Sequence, residues 1–220
     1  MKKKTLTIAL ALVLVVALAV GASYAYLTAR TGEVKNTFTV GKILDDNSKF
    51  ELKEHEATYN SEKGIYDLDN AQEVAANTYA SVAPKMIVAK DPFVRIHTQV
   101  TTPAYLYVEV VDNTAAGALS YTLDSANWKP LMNGDQQVVG KNGGLVYYYV
   151  TTDAAEGKVV TGDYSVNALT VNILKDKQVT IGEKVTAETF AKGTADTLAF
   201  NAYLYQAVGF TTPLAAFQAN

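Results

Sequence analysis

Residues 104–111 read Ala104-Tyr105-Leu106-Tyr107-Val108-Glu109-Val110-Val111. Successive side chains of an extended chain point to opposite faces, so Ala104, Leu106, Val108 and Val110 form one apolar side. Tyr, Val and Leu suit a pleated, half-buried surface, and Asp112-Asn113 supplies the turn that ends the run. The stretch is a strand, and its neighbours are read from it. Upstream, Val94-Arg95-Ile96-His97 alternates, Met86 to Ala89 is apolar, and Lys90-Asp91-Pro92 separates the two. Downstream, Ala118 to Leu123 and Trp128 to Met132 read as strands. Asn133-Gly134-Asp135 and Lys141-Asn142-Gly143-Gly144 are turns, and Leu145 to Val150 is a strand of the buried type. Thr170 to Leu174 and Gln178 to Ile181 follow, with Lys175-Asp176-Lys177 as a hairpin turn between them. Near the end, Leu198, Phe200, Ala202 and Leu204 alternate with Ala199, Asn201, Tyr203 and Tyr205. Thr212 caps a short final helix, with Pro213 in its first turn and Leu214 to Phe217 behind it.

Two stretches read differently. Asp45 to Glu62, with Lys53-Glu54-His55-Glu56 in it, is polar and is expected as a solvated connection holding at most one weak strand. Asp69 to Ala80 is Ala-rich with acids near its start, and is expected as a short surface helix capped by Asp69. Short strands at roughly 8–12-residue spacing with Gly, Asn and Asp turns argue for an all-β fold, a single β-sandwich domain over 42–220 with short peripheral helices.

The chain begins with a different pattern. Met1-Lys2-Lys3-Lys4 is cationic, Thr5 to Val20 is almost unbroken Leu, Ala, Val and Ile, and Gly21-Ala22-Ser23-Tyr24-Ala25 is mostly small. That is the layout of a secretory signal peptide, with Ser23 and Ala25 at the positions a signal peptidase must accommodate and the cut after Ala25. A spanning helix needs about 20 apolar residues, so an uncleaved anchor is the rival reading. The expectation is a signal peptide over 1–25, no stable membrane insertion after cleavage, and secretion to the cell surface or matrix. Gln218-Ala219-Asn220 follows no hydrophobic tail and has no basic finish, so a sorting signal for wall attachment is not expected. An extended segment follows over 26–41, where Val34, Asn36, Phe38 and Val40 share one face and Gly41 ends the run.

Composition narrows the classes. The sequence has no Cys, so an exported domain of this size holds together by packing and backbone hydrogen bonds. Net charge is −3, and Lys2, Lys3 and Lys4 leave with the leader, so the body is mildly acidic. It lacks the basic footprint of a nucleic-acid binder and the polybasic patch of a binder of anionic lipid. Tyr occurs 14 times against a single Trp, which again favours strands.

Three groups of residues carry a family resemblance. Ser23-Tyr24-Ala25 followed by Tyr26-Leu27-Thr28, then Asn36, Phe38 and Gly41 as an N-x-F-x-x-G motif, resembles the start of the TasA/camelysin family of Gram-positive exported proteins. Lys90, Asp91, Pro92 and Val94, then Pro103, Ala104, Tyr105, Val108 and Val110, resemble its middle. Ala202, Tyr203, Gln206, Ala207, Gly209, Phe210, Ala216 and Phe217 resemble its end. The chain departs from the family pattern at Arg95-Ile96-His97-Thr98, where Asn and Gly are usual, and at Pro84-Lys85, where Pro-Gly is usual. The resemblance implies a jelly-roll form of the sandwich, cleavage by a dedicated signal peptidase, and assembly into biofilm-matrix or cell-surface fibres.

Reaction chemistry has little support. Camelysin relatives are described as metalloproteases, but a zinc-protease helix needs two His four apart with a Glu between. His55-Glu56 has no second His, and His97 lies beyond a strand, so both read as surface residues and no metal ligand is assigned. No G-x-S-x-G elbow, Walker loop or dinucleotide fingerprint is present. Asp45-Asp46-Asn47 and Asn133-Gly134-Asp135 have calcium-type oxygens but read as solvated turns. The Tyr groups at 105/107, 147/148/149 and 203/205 invite sugar stacking, yet strand tyrosines more often face a sheet or core. The expectation is therefore a non-enzymatic structural protein without cofactor. Its partners are signal peptidase, further copies of itself, and a minor fibre or anchoring subunit. Strand addition is the route, with 26–41 as donor and Val34, Asn36, Phe38, Val40 and Gly41 its key residues. The alternatives are a monomeric adhesin or carbohydrate-binding module, a camelysin-like metalloprotease, and pairing of 26–41 within its own domain.

Overall fold

The alternating stretch at 104–111 is the middle of a fourteen-residue strand, Gln99–Asp112. The computed structural model describes residues 42–80, 82–186 and 197–220. The leader over 1–25 and the segment 26–41, with Ser23, Ala25, Val34, Asn36, Phe38, Val40 and Gly41, lie outside the described residues. In chain order the strands are β1 (Phe50–Asn60), β2 (Ile65–Val74), β3 (Ile87–Ala89), β4 (Phe93–Ile96), β5 (Gln99–Asp112), β6 (Leu119–Ser120) and β7 (Trp128–Pro130). They continue with β8 (Met132–Asn133), β9 (Gln136–Gln137), β10 (Leu145–Tyr149), β11 (Val159–Asp163), β12 (Leu169–Asn172), β13 (Gln178–Ile181) and β14 (Leu198–Gln206). A short helix, α1 (Pro213–Gln218), follows, with the Thr212 side chain accepting from the Ala215 N–H. The described part of the protein is all-β.

One sheet has the order β12-β4-β1-β2-β3-β13-β6, and a second is built on β5, flanked by β10 and β11 with β7 beyond β10 and with β14 also paired to β5. The sheets share a core in which Val94 and Ile96 of β4 and Val171 of β12 meet Leu106 and Val108 of β5, Trp128, Tyr149 and Val160. Trp128 Nε1 crosses it to donate to the Asn172 carbonyl at 2.8 Å. β5 is covered on both sides, so every residue from Ala104 to Val111 is buried. Its even residues face the other sheet, while Tyr105 and Tyr107 pack with Leu131, Val146, Ala207 and Ala216 under α1.

Three expectations are corrected. The Asp45–Glu62 stretch holds the full strand β1, paired on one side to β4 (Phe50↔Ile96) and on the other to β2 (Tyr59↔Tyr66). Its inward alternation runs Phe50, Leu52, Glu54, and the charged third member disguised it. The helix expected over Asp69–Ala80 is replaced by the second half of β2 and an irregular segment. Long-range pairing to β1 takes the backbone of 65–74, which overrides the local helical preference of Ala. Asp69 therefore caps no helix. Lys175-Asp176-Lys177 turns the chain with φ of 56° at Asp176 and 53° at Lys177, yet it closes no hairpin. β12 pairs with β4 and β13 with β3 and β6, so the turn steps the chain from one end of the curled sheet to the other.

Candidate functional site

The ladder splits where β1 leaves β4 for β2, and Lys90-Asp91-Pro92 sits at that split. β1 pairs with β4 only as far as Lys53↔Phe93, and its register with β2 shifts between His55 and Glu56. Backbone groups at such a fork lose their neighbour and need a substitute. Asp91, almost fully buried, provides it: Oδ1 accepts from the His55 backbone N–H at 3.0 Å and Oδ2 from His55 Nδ1 at 2.6 Å. Lys177 Nζ is 3.7 Å from the same carboxylate. On the inward side Glu54 Oε2 accepts from Lys90 Nζ at 2.9 Å, and Glu54 Oε1 accepts from the Asn77 N–H at 2.7 Å. Asn77 in turn fills the gap in β1, taking the Ala57 N–H on its Oδ1 and donating to the His55 carbonyl.

Lys90 is held from two further sides. Its ammonium lies 5.8 Å from the centre of the Tyr79 ring and 5.7 Å from that of Phe200 in β14. Tyr79 donates its hydroxyl to the Ala89 carbonyl. Burial pushes that hydroxyl far above the ordinary tyrosine value, and the Glu54 and Asp91 charges push it further, so Tyr79 stays neutral. The ammonium–ring contacts need little solvent and gain strength in a desolvated setting.

Glu54, Asn77, Tyr79 and Lys90 of this group line a cleft of about 730 Å³. Its walls are largely apolar, with Leu52, Val88, Leu119, Val179, Ile181 and Phe200 among them, while Thr78, Thr114 and Thr197 stand among its polar lining. Volumes of roughly 300–1,000 Å³ are typical of sites that enclose a small molecule.

One wall of the cleft is the beginning of β14, a strand with one edge unpartnered among the described residues. β14 pairs with β5 in continuous register from Leu198↔Asp112 to Gln206↔Ala104. At either end the Asn113 N–H bonds the Thr197 carbonyl and the Ala207 N–H bonds the Pro103 carbonyl. In an antiparallel ladder, bonded and non-bonded pairs alternate. The odd residues of β14 therefore bond to β5, and the N–H and C=O groups of Leu198, Phe200, Ala202, Leu204 and Gln206 point away from it. Among the described residues no other strand pairs with β14. An edge of this kind is a template for another extended chain.

The remaining candidates fall elsewhere. His97 donates from Nε2 to the Ser165 carbonyl and bonds through its backbone to Lys49, so it sits beyond the far end of the β1–β4 ladder, about 20 Å from His55 at strand spacing. His55 is not the surface residue expected, because it is half-buried against Asp91 and the Phe93 ring. Among the described residues, no three His, Cys, Asp or Glu side chains converge as a metal site requires. Asp46 binds Ser48 through its N–H and hydroxyl as a turn cap, and Gly134 holds φ of 62° at the tip of the β8–β9 hairpin. The tyrosines are committed to packing and structural bonds. Tyr107 donates to the Pro213 carbonyl, and Tyr203 to Glu109, a buried carboxylate that also accepts from the backbone of Asn142 and Gly144.

The described residues define an all-β architecture of two large sheets and a small β8–β9 hairpin, with a cleft lined by the Glu54–Lys90 pair beside a strand edge that has no partner among them. No family model, curated protein or solved structure matches the chain. Among the described residues no helix is long and apolar enough to cross a membrane.

Proposed function

We propose that this chain is an exported structural protein of jelly-roll type that assembles into surface or matrix fibres by strand addition. After cleavage behind Ala25, the segment 26–41 of one copy pairs with an open sheet edge of the next. The observation that carries the reading is the free side of β14. Among the described residues, five there present backbone donors and acceptors without a strand partner, next to a cleft that could receive alternate side chains. Main-chain bonds supply affinity and pockets supply specificity in this mode of recognition. Val34, Phe38 and Val40 are the apolar residues available to fill such pockets. A head-to-tail contact does not close on itself, so repetition yields a filament. The resemblance of Asn36, Phe38 and Gly41, of Lys90-Asp91-Pro92, and of Ala202 to Phe217 to the TasA/camelysin family points the same way.

The test is negative-stain microscopy and sedimentation of the mature chain 26–220, beside the same chain lacking 26–41. Filaments from the first and a folded monomer from the second support the reading. A dispersed mature monomer overturns it, and unfolding of the shortened chain places 26–41 in its own core instead.

A further inference from the structure

As an extended strand, 34–40 would carry Val34, Asn36, Phe38 and Val40 on a single face, and one of the four is polar. A polar side chain on the buried face of an added strand is costly unless it meets a hydrogen-bonding partner. The cleft beside β14 is largely apolar, and its polar lining includes Lys53, Asn77, three threonines and the mutually bonded Glu54–Lys90 pair. Glu54 and Lys90 are both nearly inaccessible, with side-chain exposures of 4% and 10%. Lys90 has three N–H donors, and Glu54 Oε2 is its hydrogen-bond acceptor among the described residues. A carboxamide carries an acceptor for Lys90 and donors for Glu54, so it can bond both members of the pair at once. Lys90 also touches the Phe200 ring, which ties the pair to the strand whose edge an incoming chain would use.

We propose that the Glu54–Lys90 pair is the register mark of this edge, bonding the Asn36 carboxamide of a neighbouring copy and so fixing which residues of that copy enter the cleft. The inference rests on the strand-addition reading and adds the specificity determinant to it. The mark is needed because backbone pairing alone is indifferent to sliding, and a slip of one residue turns the whole Val34–Val40 face outward. A slip of two keeps the face but sets Val34 or Phe38 over the ion pair, which strips its remaining hydration without returning a bond. Asn36 in register avoids both. The pair thus rejects wrong registers as well as rewarding the right one.

The experiment is a cycle in the mature chain 26–220 with Asn36→Leu, the double replacement Glu54→Leu with Lys90→Met, and all three together. The readout is the critical concentration for filament formation, with far-ultraviolet circular dichroism confirming that each variant is folded. Asn36→Leu and the double replacement should each raise the critical concentration at least about tenfold, the consequence of burying one polar group without its partner. The triple variant, apolar on both sides, should return to within a few-fold of wild type. Wild-type filaments with an unaffected Asn36→Leu variant, or a triple variant no better than either parent, would overturn the register mark and leave strand addition standing. A wild-type chain that stays monomeric would instead overturn strand addition, and this inference with it.

Discussion

Lys90 Nζ and Glu54 Oε2 are 2.9 Å apart at the point where one strand changes partners. The pair is inside the protein, so its two halves behave very differently when removed singly and together. Lys90→Met leaves Glu54 buried without its cation and should cost about 3–5 kcal/mol. The double variant Glu54→Leu with Lys90→Met removes both charges and leaves only the Asn77 N–H without its acceptor. It should fall within about 2 kcal/mol of wild type. Urea denaturation of the three proteins checks the difference, and equal losses in both variants would contradict it.

Glu109 is one of the carboxyls that couple the fold to acid. Burial alone raises its carboxyl, but the Tyr203 hydroxyl, the Asn142 side chain and the Gly144 and Asn142 N–H groups reverse this and hold it below the ordinary range. A carboxyl lowered by folding contributes stability above its unfolded value, about 4.3 for glutamate. That contribution is lost as pH falls through the folded value. The Arg95 guanidinium, bonded to both oxygens of Glu73, lowers that carboxyl in the same sense. Wild type should therefore lose urea resistance as pH drops below about 4.3. Glu109→Gln should be less stable by about 1.5–3 kcal/mol at pH 7 and should show a shallower acid decline, keeping the part due to Glu73.

Proline separates the two sides of β14. Ala202 pairs with Val108 at a position whose N–H points away from β5. Ala202→Pro removes an outward donor and leaves the β5 ladder bonds in place, the situation in which an edge strand tolerates proline. Melting temperature should change by a few degrees at most, while filament formation by the mature chain should be abolished. Loss of filaments with the fold intact is the result expected, and filaments equal to wild type would clear β14 of any role as acceptor.

Gly182 is required for steric reasons. A Cβ there would collide with the Gly117 carbonyl, where the Gly182 N–H donates to Ala118 at 2.8 Å and β13 meets β6. Backbone on that side cannot retreat without breaking the junction. Gly182→Ala should cost about 1–3 kcal/mol, the range for an overpacked site, measurable as a lower urea midpoint with an unchanged slope.

The fold was legible wherever residue type and burial agree. β5, β10, β14 and α1 follow from alternation, β-branched or aromatic side chains, turn residues and the Thr212-Pro213 cap. β1 was hidden because the inward slot after Phe50 and Leu52 is filled by Glu54, whose burial makes sense only with Lys90 a long way off in the chain. β2 was hidden because Ala75 and Ala76 and the acids before them satisfy local helix statistics, while its conformation is decided by β1. His55 was misplaced on the surface for the same reason, since Asp91 is its partner only after folding. Alternation at Leu198–Tyr205 did identify a strand. Which of its edges stays open is a property of topology, and no local pattern encodes it.

The ladder between β5 and β14 joins segments far apart in the chain, with Tyr203 and Glu109 bonded across 94 residues. The central sheet consequently stays incomplete until β14 has been synthesised. Contacts of such long range form slowly, because their chain-closure entropy precedes any reward. A polypeptide built this way holds one side of β5 open until residues 198–206 arrive, so the whole intervening chain must be collected before that edge can close.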